Sequence, residues 1–282
     1  MNDIAGLPAV RRLIDLALEE DVAHGDITTM ATVPATVYAD AVIQAKQRGV
    51  VAGLGIAEAV FLRVDPSLGF AAVAADGDLV EPGDRLAEVS GRARSILTAE
   101  RTALNFLQQL SGVATATRTM RLLIEGTRAR LVDTRKTVPG LRVLQKYAVR
   151  VGGGSNHRFH LADAVLIKDN HIAAAGGIGP AVRAARDLCP HTMRVEVEVQ
   201  SLSQLREALE AGADVIMLDN MDCAMMRQAV ELTAGRALLE ASGGIREETV
   251  AEVARTGVDL VSCGAITHSA PALDISLDLV AR

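Results

Sequence analysis

The sequence predicts an α/β protein: a mixed α/β-sandwich N-terminal domain over residues 1–111, then an atypical, incomplete parallel α/β barrel over residues 112–271. Three observations predict it. Before Gly112, an amphipathic helix is followed by short alternating strands broken by Gly and Pro turns. After Gly112 the pattern becomes apolar strand, polar tip, helix, repeated, which calls for right-handed crossovers and a parallel sheet. The tips recur at the spacing of β/α-barrel units, yet about 170 residues remain where an eight-unit barrel takes about 250. A doubly wound open sheet is the competing architecture.

The elements follow in order. Val10, Leu13, Ile14, Ala17 and Leu18 share one face of an opening helix. Ala41–Ala45 and Arg85–Val89 alternate as half-buried strands. The piece Gly77–Val89 is superficially like a lipoyl or biotinyl hairpin, but no lysine sits in its turn, so it reads as structural. A second helix takes Thr98 as its N-cap. Its buried face carries Ala103, Phe106, Leu107 and Leu110, and Arg101 points away toward solvent or another surface. Six apolar runs then end at Asp133, Lys168, Glu198, Asp219, Glu240 and Cys263, with helices such as 201–211 and 247–256 between them. The segment 272–282 is assigned back to the N-terminal domain.

Composition removes several function classes. The chain has 282 residues, 49% of them hydrophobic, and a mean hydropathy of +0.24, which suits a compact protein of about two domains. A net charge of −6, with no Trp, two Tyr and four Phe, argues against nucleic acid, which asks for a basic footprint and stacking platforms. The opening Met1-Asn-Asp-Ile lacks a basic segment followed by an apolar one, and no apolar run approaches a membrane span. A cytoplasmic protein is expected. Cys189, Cys223 and Cys263 are odd in number and far apart, so they indicate neither a disulfide framework nor a zinc site and read as packing residues.

Charge is not spread evenly. Between Arg128 and Lys168 nine Lys and Arg face two Asp, a local net of +7 in an acidic chain. The stretch also holds Gly152-Gly153-Gly154, the Pro139-Gly140 turn and His157, His160 and His171, and it reads as a pocket for a small polyanion. His157 and His171 are evenly balanced between site and core roles. Chemistry in parallel α/β folds collects at the carboxyl ends of strands. Arg135 and Lys136, Lys168, Glu198, Asp219, Ser242-Gly243-Gly244 and Gly264-Ala265 all lie at such ends. Arginine forks match planar carboxylates and lysine adds a point charge. Glu198 and Asp219 are hard oxygen donors, fit for ribose hydroxyls or for Mg²⁺ held beside substrate phosphates. The two glycine turns open helical segments whose backbone N–H groups can grip a phosphate. Glu196 and Glu198 are expected to face opposite ways, with Glu198, nearer the tip, looking into the mouth. The set suggests a carboxylate-bearing acceptor beside a phosphorylated sugar.

The strings Glu100-RTALNFLQQLSGVAT, Asp133-TRKTVPGLR, Lys146-YAVRVGGGSNHR, Leu166-IKDNH, Glu196-VEV, Leu218-DNM, Leu239-EASGGI and Gly264-AITHSAPALDISL, with the opening Glu20-DVAHGDITT, resemble the quinolinate phosphoribosyltransferases over nearly the whole chain. The resemblance implies quinolinate and phosphoribosyl pyrophosphate as substrates, Mg²⁺ as cofactor, and a homodimer in which one subunit's N-terminal domain covers the other's barrel mouth, further assembly being open. It implies quinolinate carboxylates near Arg135, His157, Arg158, Lys168 and a partner-donated Arg101, with Thr134 in the same substrate-binding set. Lys136 then serves the pyrophosphate, Glu198 and Asp219 the ribose or its Mg²⁺, and Ser242, Gly243, Gly244, Gly264 and Ala265 the 5′-phosphate. Lys136, Lys168, Glu198 and Asp219 form the implied catalytic set. Two positions depart from the family pattern: Val138 replaces a threonine, and His160, a titratable group expected near the site, replaces a small or amide residue. Rival readings are a phosphoribosyltransferase with another acceptor, a Schiff-base lyase using Lys168, and a non-catalytic anion-binding protein.

Overall fold

The structure, a computed structural model, describes residues 4–281. In chain order the first elements are α1 (Pro8–Val22), α2 (Ile27–Thr32), β1 (Tyr38–Ala45), β2 (Gly49–Val50), α3 (Leu54–Val64), β3 (Gly69–Ala72), β4 (Leu79–Val80), β5 (Arg85–Arg92) and α4 (Ala93–Leu123). Then come β6 (Arg130–Val132), α5 (Arg142–Val151), β7 (Val165–Ile167), α6 (Asp169–Ala175), α7 (Ile178–Leu188), β8 (Val195–Val199) and α8 (Leu202–Glu210). The last are β9 (Val215–Asp219), α9 (Cys223–Thr233), β10 (Leu238–Ser242), α10 (Glu247–Ala254), β11 (Leu260–Ser262), α11 (Ala265–His268) and β12 (Ile275–Ala281). The chain forms two compact units. One holds the residues up to Arg118, Val138–Gly153 and those from Ala270 onward; the other holds Thr119–Thr137 and Gly154–Ser269.

The first unit is built on an antiparallel sheet of order β12-β1-β5-β3, with β2 and β4 paired separately. Strand β1 buries Ala39, Ala41, Ile43 and Ala45 and turns the intervening residues outward, the alternation of a half-covered strand. Asp26 caps α2 by accepting the Thr29 N–H at 2.9 Å. Helix α1 buries Val10 and Ile14 and half-buries Leu13, Ala17 and Leu18, the expected face. Helix α4 differs from expectation at its start. It begins at Ala93, so Thr98 lies inside it, its hydroxyl 3.5 Å from an Asp26 carboxylate oxygen. The helix grows directly out of β5, and its first N–H, that of Ala93, is taken by the Val37 carbonyl at 3.0 Å. Ala103, Phe106, Leu107 and Leu110 are buried and Arg101 is exposed, as their spacing indicates. Ser111 and Gly112 lie inside the same unbroken helix. Gly112 is needed there because a Cβ at that position would come within 2.0 Å of the Pro271 carbonyl oxygen.

The second unit carries a six-stranded parallel sheet of order β6-β11-β10-β9-β8-β7. That order is cyclic: each strand from β7 to β11 sits beside its successor, and the first strand, β6, joins the last. A doubly wound sheet would instead reverse direction at a switch point. Consecutive helices α6 to α10 pack on one another in the same sequence. The unit is therefore an incomplete barrel with its seam between β6 and β7, and its strand ends converge on one mouth. Strand β10 runs two residues past Glu240, because the ladder with β9 continues to Ser242 opposite Asp219.

Candidate functional site

A cavity of about 500 Å³ lies at the carboxyl ends of the second unit's strands, a volume that suits small-molecule ligands. Thr134, Arg135, Lys136, His157, Arg158, Lys168, Glu198, Asp219, Ser242, Gly243 and Gly244 all line it. Gly264 and Ala265 do not line it; Gly264 instead packs beside the Lys136 stem, where an added Cβ would lie 3.1 Å from Lys136 Cδ. Gly264 is the N-cap of α11, which starts at Ala265 and is only four residues long, whereas α10 starts at Glu247, so the Ser242–Gly244 turn does not open its helix directly. Arg101 belongs to the first unit and is exposed there.

Asp133 holds the cationic loops together. It is fully buried just past β6, and its carboxylate accepts the His157 N–H and the Asn156 side-chain amide, each at 2.7 Å. Its own N–H donates to the Ser155 carbonyl at 3.1 Å. The loop beginning at Thr134 is thus tied to the loop carrying His157 and Arg158. Within the first, the Thr134 hydroxyl accepts the Lys136 N–H at 2.9 Å, and the Lys136 carbonyl accepts the Thr267 hydroxyl at 2.7 Å. Arg158 donates to the Ala164 carbonyl at 2.8 Å. Burial, and next the neighbouring Arg135, weaken this guanidinium's hold on its proton, while Glu196 and Asp163 act in the other direction.

The acidic side faces these cations. Lys168 Nζ lies 2.5 Å from Glu198 Oε2. Asp219 accepts the Asn220 side-chain amide at 2.9 Å and that of Gln200 at 3.3 Å. Asn220 has a left-handed backbone, φ 54°, and its N–H bonds the Ser242 carbonyl at 2.9 Å, which locks the β9 tip to the glycine turn. Glu198 and Asp219, on neighbouring strands at one cavity, fit Mg²⁺, which binds through one or two carboxylates plus substrate phosphates.

Several expectations need correction. Glu196 and Glu198 are two residues apart on one strand and therefore share a face; both look inward, Glu196 one layer deeper. There its Oε2 lies 3.2 Å from His157 Nε2, with Glu240 Oε2 at 3.7 Å. Glu240 is 1% exposed, and its carboxyl is pushed up to about 7, first by burial and next by the Glu196 carboxylate, with His157 opposing. Of the three histidines only His157 lines the cavity. His171 Nδ1 accepts the Lys168 N–H at 3.0 Å at the start of α6, and His160 is exposed beside Asp163 at 3.5 Å. The +7 stretch is likewise divided. Arg128 pairs with Asp259, Arg130 lines a separate, lower cavity, and Arg142, Lys146 and Arg150 belong to the first unit, leaving Arg135, Lys136, Arg158 and Lys168 at the cavity. Val138 donates its N–H to Gln145 Oε1 at 2.9 Å in the first unit.

Sequence reasoning passed over Asp133, Glu196, Asn220 and Glu240 as site residues. The signal was present, since a carboxylate inside an apolar strand run such as Leu238-Leu-Glu-Ala241 has no solvent to face. A larger cavity, about 590 Å³ in the first unit, offers little chemistry. One of its two acids, Asp76, is occupied by the N–H groups of Gly53 and Leu54 at 2.8 and 3.1 Å and the Tyr147 hydroxyl at 2.6 Å. Among the described residues no helix is long and apolar enough to cross a membrane.

Residues 26–111 match the family model for the quinolinate phosphoribosyl transferase N-terminal domain, and residues 113–278 match that for its C-terminal domain. A nicotinate-nucleotide pyrophosphorylase [carboxylating], chloroplastic, of Arabidopsis thaliana is 45% identical over 96% of this chain and 82% of its own length. A probable nicotinate-nucleotide pyrophosphorylase of Bacillus subtilis is 43% identical over 96% of this chain and 93% of its own. The crystal structure of NadC from Streptococcus pyogenes, 44% identical, superposes with a TM-score of 0.94 over 97% of each chain. Both domains in order, relatives of this similarity along nearly the full length, and a shared fold show that this chain belongs to the quinolinate phosphoribosyltransferase family.

Proposed function

We propose that this chain transfers phosphoribosyl from phosphoribosyl pyrophosphate to quinolinate with decarboxylation, giving nicotinate mononucleotide, CO₂ and pyrophosphate in de novo NAD biosynthesis. The observation that carries this reading is one cavity with Arg135, Lys136, Arg158 and Lys168 set against Glu198, Asp219 and the Ser242–Gly244 turn. Four cations suit a dicarboxylate and a pyrophosphate together.

Arg135, Arg158 and Lys168, with Thr134 and His157 beside them, receive the quinolinate carboxylates, and Arg101 completes that set from a second subunit of a homodimer. The pyridine nitrogen attacks the anomeric carbon as pyrophosphate departs beside Lys136. The intermediate state is oxocarbenium-like, and Glu198 and Asp219 face its positive charge. Glu198 and Asp219 would hold Mg²⁺, which when bound would neutralise charge on the substrate phosphates. The backbone of Ser242, Gly243 and Gly244 holds the 5′-phosphate, with Gly264 and Ala265 supporting Lys136 from behind. Once the ring nitrogen is ribosylated and cationic, the 2-carboxylate leaves as CO₂. Its bonding pair stays on the ring carbon next to the positive charge, and Lys168 or water delivers the proton that quenches it. Lys168 is tied into an ion pair with Glu198, which engages the amine that a Schiff-base lyase would need free. We place the protein in the cytoplasm.

The test mixes purified protein with quinolinate, phosphoribosyl pyrophosphate and Mg²⁺ and follows CO₂ and nicotinate mononucleotide together. Equal appearance of both, abolished without Mg²⁺, is expected. Pyrophosphate release with another acceptor and none with quinolinate would overturn the substrate while keeping the phosphate site.

A further inference from the structure

The interior of a parallel barrel is ordinarily filled with branched aliphatic side chains. At the floor of the cationic cavity this one holds acid instead, Glu240 forming part of the cavity wall and Glu196 lying deeper. Glu196 from β8 and Glu240 from β10 are 6% and 1% exposed, and each leaves its Oε1 without a hydrogen-bond partner. Burial of such groups costs stability, so the fold carries them against its own interest.

Their other oxygens converge on one atom, His157 Nε2, at 3.2 and 3.7 Å. The opposite ring nitrogen, Nδ1, accepts the Arg158 N–H at 2.8 Å. A ring nitrogen that accepts from an N–H carries no proton, so the imidazole is the Nε2–H tautomer, gripped on both sides. Its backbone is fixed as well, through the His157 N–H to Asp133. Arg158 follows directly, and its guanidinium is the second anchored cation of the cavity. A lower cavity of about 210 Å³ on the far side of these acids is lined by Arg130 and Arg194, which oppose a cation there.

We propose that Glu240, together with Glu196, is a positioning residue for quinolinate recognition: through His157 Nε2 it sets the imidazole and the adjoining Arg158 backbone, so that the Arg135 and Arg158 guanidiniums meet the planar carboxylates in a preset geometry. The inference rests on the quinolinate reading of the cavity. Groups that orient a metal-binding histidine contribute about tenfold to a hundredfold when removed, and the same order is expected for groups that orient a substrate-binding one. Loss of Glu240 acts on the quinolinate half of the site and leaves the phosphate half alone.

The experiment has two arms. Long-range ¹H–¹⁵N NMR of the unaltered protein, with the His157 signal assigned by its loss in His157→Gln, is expected to show a neutral Nε2–H ring. An imidazolium or an Nδ1–H ring overturns the proposal, whatever the activity. In steady-state kinetics Glu240→Leu is expected to raise KM for quinolinate about tenfold with KM for phosphoribosyl pyrophosphate within about twofold, and Glu240→Gln, which keeps a hydrogen-bonding head, to recover most of that loss. Equal rises in both KM values, an unchanged quinolinate KM, or a Gln variant as impaired as the Leu variant each overturn it. If Glu240→Leu does not fold, the tautomer and the Gln variant decide. Failure of the unaltered protein to turn over quinolinate refutes the functional reading separately, because the tautomer is read without substrate.

Discussion

Replacing Gly243 and Gly244 one at a time by alanine separates two physical effects within a single turn. Gly244 has φ +62°, and an added Cβ there meets nothing within 4 Å. Alanine at that position suffers only the left-handed backbone penalty, about 1 kcal/mol. Gly243 has φ +94°, and its added Cβ would lie 2.2 Å from Asn220 Oδ1, 2.6 Å from Cγ and 2.9 Å from the Asn220 backbone nitrogen. The side chain can rotate away, but the backbone nitrogen cannot, since it is bonded to the Ser242 carbonyl at 2.9 Å. Overpacking of this kind adds about 1–3 kcal/mol to the backbone penalty. Any retreat of Asn220 also breaks its 2.9 Å bond to Asp219. Gly244→Ala should therefore lower Tm by about 2–4 °C, and Gly243→Ala by roughly 8 °C. Gly243→Ala should also raise KM for phosphoribosyl pyrophosphate at least about tenfold, the result of a misplaced phosphate turn. Thermal melts and initial-rate kinetics on both variants read these values. Equal Tm losses, or a Gly243→Ala enzyme with unaltered KM, would refute the reasoning.

Four further outcomes follow from the structure. Gly112→Ala, which on helix propensity alone would stabilise by about 1 kcal/mol, should instead prevent stable folding because of the Pro271 carbonyl; expression and Tm check it. Arg101→Ala should weaken quinolinate use strongly with little change toward phosphoribosyl pyrophosphate, and an unchanged catalytic efficiency would sink the cross-subunit role. Mixing inactive Arg101→Ala and Lys168→Ala proteins should restore about a quarter of normal activity if each site draws on two subunits; no recovery after subunit exchange counts against sharing. Glu240, whose carboxyl rises to about 7 in the fold among Glu196, His157, Ser262 and Asp133, binds its proton more tightly folded than unfolded. Its contribution is present below about pH 4.5 and is lost as pH rises through about 7, on the order of 3 kcal/mol in all. Glu240→Gln should flatten that part of the pH–stability curve, measured by urea melts from pH 5 to 8, and an unchanged slope would contradict the assignment.

The barrel was legible because its strands are short apolar runs with polar tips, a local pattern that survives without knowledge of partners. Val165–Ile167, Val195–Val199 and Val215–Asp219 all lie where that pattern puts them. Convergence of Arg135, Lys168, Glu198 and Asp219 on one mouth follows from the same rule about strand ends. What escaped was non-local. The start of α4 depends on the Val37 carbonyl, which no pattern near Thr98 reveals. The acids Glu196 and Glu240 take their meaning from His157, a residue on a loop far away in sequence. Charge density misled for the same reason, since linear crowding around Lys146 says nothing about which unit a helix joins.

Strand β12 pairs antiparallel with β1 from Ala39 opposite Ala281 to Ala45 opposite Ile275, so the central sheet of the first unit takes one strand from near the start of the sequence and one from near its end. The second unit's strands all lie between Arg130 and Ser262, so its ladder pairs without any contribution from β12. Without β12, β1 offers an unpaired edge, the kind of surface that recruits strands from other chains. Loss of a few residues after Asp274 would thus leave the catalytic barrel's own ladder intact and yet yield a protein that aggregates. Intolerance of C-terminal trimming is written into the register of that outermost pair.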